Sequence, residues 1–219
     1  MDEETDPSLN ISVPSIVELA PDGEVITSDI FSRLMKERIV FISGELGQNG
    51  SDIIVAQLLW LDNLNNQKDI KLYINSEGGD ITCLFALYDV IQFIKAPVCT
   101  YAIGKAFSSA ACLLCAGSKG KRYALPNSLI MIHQPRIGSF EGTVSIVDIE
   151  TKQAKEDKKK MIEMIARHTG NPFSKVEADC EKDYFLNPKQ ALKYGIIDSV
   201  VLPNKEIPPL ILEKPIKKK

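Results

Sequence analysis

GKAFSSAACLLCAGSKGKRYALPNSLIMIHQP, residues 104–135, holds the pattern that decides the fold. Pro97–Ile103 precedes it as an apolar strand. Ser108–Ala116 is a run of small and apolar residues at helical length, closed by Gly117. Ser128–Ile132 is apolar again and short enough for a buried strand. The stretch opens its helix on two adjacent serines, Ser108 and Ser109, and ends its last strand on His133. The chain contains two histidines, His133 and His168. Nucleophilic serine chemistry usually needs a histidine to accept the hydroxyl proton, so a histidine-dependent site can be searched almost exhaustively here.

Outward from this stretch the alternation continues. Ile70–Ile74 reads as a strand, Asn75–Gly79 as a turn and Ile81–Ile94 as a strongly apolar helix. IFSRLMKERIVFI (30–42) begins helical and ends as a buried strand. DIIVAQLLWLDNL (52–64) has helical spacing, with Ser51 or Asp52 available as a cap. Residues 13–25, with Pro14, Pro21 and Gly23, read as a loop or hairpin. Strand alternating with helix predicts an α/β fold, a parallel sheet covered by helices. In that architecture strand ends and helix starts form the ligand crevice, and Gly78-Gly79, Ser108 and His133 all fall at such junctions. After Pro135 a loop, 136–142, leads into a long helical pattern, Val144–His168, closed by Gly170. Its KEDKKK run (155–160) reads as a solvated face. Pro188–Tyr194 is a final short helix with Gly195 as its stop. Residues 1–12 and 202–219, the latter ending KPIKKK, read as mobile tails around one domain, 13–201.

The bulk numbers bound the function classes. With 219 residues, 44% of them hydrophobic, the chain has material for one well-filled core. Its net charge of −3 gives no overall field favouring nucleic acid. No apolar run approaches the ~20 residues of a membrane span. The acidic, polar MDEETDPS start is unlike a secretory signal, while prior removal of a transit peptide stays open. Of the five cysteines, four sit in apolar segments and read as reduced, buried thiols. Cys112 and Cys115 have CxxC spacing, but no second pair follows and both histidines are distant in sequence. Helix packing is the favoured reading over zinc or redox chemistry.

Locally, Ser108 has two readings. At a helix start it meets free N–H groups that suit an anion, as a nucleophile requires. It can equally be a simple N-cap, which local sequence favours. His133 at a strand end reads as a satisfied core residue or as a base. His168, in the last turn of a helix, reads as structural, a cation suiting the dipole. Gly78-Gly79 can bind phosphate, form an oxyanion hole or merely turn the chain. The chain has no GxGxxG fingerprint or P-loop at this glycine pair and no G-x-S-x-G elbow, which argues against a nucleotide site there and against an ordinary α/β-hydrolase.

Taken together, FSRLMKERIVFISG (31–44), YINSEGGDIT (73–82), residues 103–135 and EKDYFLNPKQALKYGIIDSV (181–200), with SVPSIVE (12–18), closely resemble the ClpP family, the proteolytic subunits of the ATP-dependent Clp protease. The resemblance spans residue 13 to about 201. The HQP motif, and the Gly120-Lys121-Arg122 to Pro126-Asn127-Ser128 spacing, are highly specific. It implies a ClpP/crotonase-like fold: a parallel sheet core, covering helices and a protruding handle of helix and strand at about 136–180. It implies a serine endopeptidase with Ser108 as nucleophile, His133 as base and Asp183 as acid. The oxyanion hole would come from the backbone N–H groups of Gly79 and Ser109. Residues around Gly79–Ile81 and Pro135–Gly138 would flank an extended peptide by strand addition. No metal and no cofactor are implied, ATP being used by the partner.

The family forms heptameric rings, homomeric or mixed, stacked as a tetradecamer that encloses the sites. The handle's Ile146, Ile149, Met161 and Ile165 would face the opposite ring. An AAA+ unfoldase of ClpX, ClpA or ClpC type would dock near Tyr73, Phe93, Tyr101 and Tyr123 and feed unfolded polypeptide. The compartment implied is bacterial cytoplasm, plastid stroma or mitochondrial matrix. The chain departs from the pattern at Glu77 (usually proline), Asp80 (usually apolar), Phe107 (usually small), Ser109 (usually methionine) and Lys182 (usually arginine), and carries one extra residue in the Arg136–Phe140 loop. Negative charge at Glu77 and Asp80 would disfavour an oxyanion nearby, and lysine at 182 lacks the bidentate fork used between rings. These departures keep a second expectation in view, a non-catalytic ClpR-like ring subunit. A crotonase-like acyl-CoA enzyme shares the fold but would not need the Ser-His-Asp set.

Overall fold

A computed structural model describes residues 13–136, 138 and 142–202; the expectations for residues 1–12 and 203–219 lie outside the described residues. Residues 13–25 contribute to a hairpin. Strands β1 (Ser15–Leu19) and β2 (Val25–Asp29) pair antiparallel, with Gly23 at φ 87° in the turn. The Asp29 carboxylate then accepts from the N–H groups of Phe31 and Ser32, both at 2.9 Å, and starts helix α1 (Ile30–Lys36). Strand β3 (Ile39–Leu46) leads to helix α2 (Gln48–Leu64). This helix begins before the expected cap. The Ser51 N–H already bonds to the Gly47 carbonyl at 3.0 Å, so Ser51 and Asp52 lie inside the first turns.

Strand β4 (Ile70–Gly79) corrects a second boundary. The expected turn at 75–79 is strand, with alternation buried-in and exposed-out along its length. Pairing with β3 shifts register between Ser43 and Glu45 and then resumes as Glu45 to Gly78 and Leu46 to Gly79. Gly78 and Gly79 adopt φ 89° and 152°, which let the chain kink without leaving the sheet. Helix α3 (Ile81–Phe93), strand β5 (Val98–Phe107) and helix α4 (Ser109–Cys115) follow. All seven residues of α4 are buried, and the helix is the centre of the core.

Strand β5 is long enough to serve two partners. Its first half, Thr100–Ala102, pairs with β6 (Arg122–Ala124), a strand the apolar pattern did not reveal. Its second half, Lys105–Phe107, pairs with β7 (Leu129–Ile132). Helix α5 (Val144–Thr169) ends on Gly170 at φ 74°, and α6 (Phe173–Asp179) completes the excursion. Among the described residues between 136 and 180, the regular elements are these two helices and no strand accompanies them. Strand β8 (Tyr184–Leu186), helix α7 (Pro188–Tyr194) and strand β9 (Ser199–Val200) close the chain. The main sheet runs β3-β4-β5-β6-β9, all parallel, and β8 joins β7 antiparallel. The fold is the α/β, mostly parallel arrangement expected. One expectation about α5 changes: Met161 and Ile165 are 2% and 1% exposed, packed into this chain's own core, while Ile146 and Ile149 remain exposed.

Arg122 is a buried cation on β6. It donates to Asp198 through Nη2 at 2.6 Å and Nε at 2.8 Å, and through Nη1 to the carbonyls of Cys115 and His168. Burial pushes the Asp198 carboxyl up, but the Arg122 hydrogen bonds and charge, with the N–H groups of Arg122 and Gly120, outweigh it and hold it below the usual 3.8. Its contribution to stability is therefore full above about pH 3.8 and is lost as pH falls through the lower folded value. Asp198→Ala strands the guanidinium and should cost about 3 kcal/mol. In chemical denaturation at pH 7 and near pH 3, the gap between this variant and the wild type should narrow at the lower pH.

Candidate active site

Three strand ends converge on one cleft of about 540 Å³, lined by Glu45, Glu77–Ile81, Ser108, Ser109, His133, Pro135, Arg136 and Met161. Ser108 is the joint between β5 and α4. Its backbone lies at φ 53° and ψ −123°, and its N–H donates to the Met131 carbonyl at 2.8 Å. A non-glycine residue at such an angle is held there by its surroundings, and such strain gathers at functional sites. The turn has the sharp strand-to-helix form of a nucleophile elbow without the G-x-S-x-G pattern. The cap reading fails, because Ser108 makes no side-chain hydrogen bond to the start of α4. Ser109 is not free either: its hydroxyl donates to the Gly79 carbonyl at 3.1 Å. Of the two serines, Ser108 is the one whose hydroxyl is not committed in this way.

His133 follows the last residue of β7, and Asp183 precedes the first residue of β8. Ile132 and Tyr184 are register partners, so the antiparallel pairing sets His133 beside Asp183. The imidazole is nearly buried at 8% exposure, and its Nδ1 lies 2.9 Å from the Asp183 Oδ1. A carboxylate only accepts, so this contact is an Nδ1–H donating to Asp183, and Nε2 is the ring nitrogen left for another partner. Asp183 Oδ2 also meets the Arg136 guanidinium at 3.4 Å, a partner sequence reasoning missed. Gly79, Ser108, Ser109 and His133 line the cleft, and Asp183, the fifth sequence-selected residue, lies behind it in contact with His133.

The acidic departures prove to be matched. Glu77 pairs with Lys105, whose hydrogen bond holds the Glu77 carboxyl below the usual range. Asp80 is the N-cap of α3, accepting from Thr82 N at 2.7 Å and Cys83 N at 3.0 Å, and from the Thr82 hydroxyl. These bonds, led by the Thr82 hydroxyl, hold its carboxyl low. Lys105 was missed because a lysine at a half-buried strand position is, in the sequence alone, indistinguishable from a solvated one. Phe107 packs edge-on against Phe185, with centroids 5.8 Å apart.

Two other candidates resolve as structural. Cys112 and Cys115 are buried on α4, and burial pushes both thiols up, Cys115 to about 12. All five cysteines are buried and unpaired. His168 Nε2 lies 3.0 Å from the Tyr88 hydroxyl. Burial, with Arg122 and Arg167 nearby, lowers its affinity for a proton, so it is structural as expected but not as the helix-end cation anticipated. Among the described residues no group of acidic, histidine and cysteine side chains forms a metal site, and no helix is long and apolar enough to cross a membrane.

A parallel α/β sheet with a strained serine at a strand-to-helix turn and a histidine–aspartate pair across the same cleft defines a hydrolase-like site. The family model for Clp protease matches residues 22–204, and the chain belongs to that family. Clp proteases are serine peptidases that, as a family, assemble as rings with Clp ATPases.

The glycine pair is sterically required. A Cβ on Gly79 would lie 2.3 Å from the Leu46 carbonyl oxygen, and one on Gly78 2.7 Å from that of Phe107. Gly79→Ala should therefore destabilise the fold by about 2 kcal/mol or more, because both clashing groups are backbone. Thermal denaturation checks this, with Gly47→Ala, where a Cβ would meet open space, as the control.

Proposed function

We propose that this chain is a catalytic Clp protease subunit, a serine endopeptidase acting on unfolded polypeptide. The observation that carries the reading is the His133–Asp183 pair at 2.9 Å on the wall of the cleft that also contains the strained Ser108. His133 Nε2 takes the Ser108 hydroxyl proton as Oγ attacks the scissile carbonyl, then returns it to the leaving amine. Asp183 fixes the Nδ1–H tautomer and stabilises the imidazolium. The developing oxyanion is held by the N–H groups of Gly79 and Ser109, donors whose removal typically costs about 3–4 kcal/mol of transition-state stabilisation each. The N–H of Ser109, as the first helical residue, has no carbonyl within α4 to bond. An extended substrate lies along Gly79–Ile81 and Pro135–Arg136. Neither a metal nor a cofactor enters these steps, and ATP is consumed by the partner.

The assembly reading follows the family. Ile146 and Ile149 are exposed at 47% and 67% and would meet the opposing heptamer of a tetradecamer, homomeric or mixed. Tyr73, Tyr101 and Tyr123 stack in a row with centroids 4.8 Å apart, and Phe93 is 79% exposed. Together these aromatic side chains would receive an AAA+ unfoldase.

Active-site labelling tests the catalytic reading. The assembled chain should take up a fluorophosphonate at Ser108 and cleave a fluorogenic peptide. Ser108→Ala should abolish the label and reduce kcat by at least about 1,000-fold. Asp183→Asn should lower kcat by roughly 10⁴ through the wrong tautomer. Assembled wild type that takes no label would instead assign the chain a ClpR-like structural role.

A further inference from the structure

Ser109 is 3% exposed, and its hydroxyl bonds to a carbonyl on another strand. That carbonyl, of Gly79, lies where the sheet ladder fails. Pairing between β4 and β5 ends at Ser76 and Ala106, after which β5 turns away into Ser108. The Ser109 hydroxyl supplies the donor that β5 no longer offers. The other end of the same peptide group, the Asp80 N–H, donates to the Leu46 carbonyl at 2.9 Å. The Gly79–Asp80 peptide plane is thus held at both edges, by β3 on one side and by Ser109 on the other. With that plane fixed, only the two backbone torsions of Gly79, its φ being 152°, separate it from the peptide group that carries Gly79's own N–H.

We propose that the Ser109 side chain is a positioning residue for the oxyanion site. It fixes the end of β4 that bears one donor, the Gly79 N–H, against the helix start that bears the other, its own N–H. One residue then supplies one donor and braces the second. The inference rests on the peptidase reading above and adds to it a role for a side chain, where that reading uses only the backbone of residue 109. A donor held before reaction costs no reorganisation as charge develops, so the brace acts on the transition state and leaves ground-state peptide binding unchanged.

The test compares the assembled wild type with Ser109→Ala, Ser109→Thr and Ser109→Cys. Ser109→Ala should lower kcat about tenfold with KM changed by less than about twofold, and slow fluorophosphonate labelling of Ser108 by the same factor. Its melting temperature should stay within a few degrees of wild type. Ser109→Thr, which keeps the hydroxyl, should return most of the lost kcat; should its methyl prevent folding, Ser109→Cys, a weaker donor, should fall between Ala and wild type. An alanine variant with wild-type kcat and labelling rate overturns the inference. So does a loss that tracks melting temperature and is restored by neither Thr nor Cys. A wild type that takes no label overturns the peptidase reading itself, a failure visible before any variant is compared.

Discussion

At the point where β3, β4 and β5 end, no side chain fits between the backbones. A Cβ on Gly78 would lie 2.7 Å from the Phe107 carbonyl oxygen and 2.9 Å from both the Ser108 Cβ and the Ser109 nitrogen. One on Gly79 would lie 2.3 Å from the Leu46 carbonyl oxygen. Two glycines in succession therefore let three strand ends close on a single volume. Everything in the cleft depends on that closure. Ser108 is forced to positive φ because β5 must turn at once into α4 to avoid β4. The strain, of order 1–3 kcal/mol, is sustained by a helix whose every residue is buried.

The histidine–aspartate pair depends on a different constraint, the split of β5. Its first half pairs with β6 and its second with β7, so β7 is displaced toward the mouth of the sheet and its free edge accepts β8 antiparallel. Asp183 is fifty residues from His133 along the chain, yet one rung of this short ladder makes them neighbours. The intervening helices α5 and α6 are an excursion between two residues already in register. Their packing, through Met161, Ile162 and Ile165 into the core, holds the two ends of the ladder together.

How far this was legible in the sequence follows from the range of each interaction. The alternation around 70–132 revealed a parallel α/β core because fully buried strands and helices write continuous apolar runs. α5 was legible because 26 residues allow many helical turns to repeat one pattern and glycine ends it. Strands β6, β8 and β9, two or three residues each, have no period to detect. The run at 75–79 read as a turn because its residues are turn formers; only the register shift against β3, a property of two strands, shows that the same glycines kink a strand instead. For the site, Ser108, His133 and Asp183 were selected through resemblance, since local sequence favoured a cap for the serine. What decides against the cap is a backbone angle at Ser108 and the absence of any side-chain hydrogen bond from it to the start of α4, neither of which composition encodes.

The acidic departures show why charge counted along a sequence misjudges a site. Glu77 and Asp80 stand next to the glycine pair, and as bare charges both would oppose an oxyanion. Lys105, on the adjacent strand, pairs with the first. The pair is largely open to solvent, so it adds little stability. It still cancels most of the field beyond its own length. The second charge is engaged by N–H groups at the start of α3, where the helix dipole favours an anion. In the proposed reaction, backbone donors in direct contact with the developing charge would act on it more strongly than a Glu77 carboxylate already paired with Lys105. Pairing with Lys105 answers the electrostatic objection at Glu77, whereas Asp80, capped by neutral donors, keeps its charge on the cleft wall.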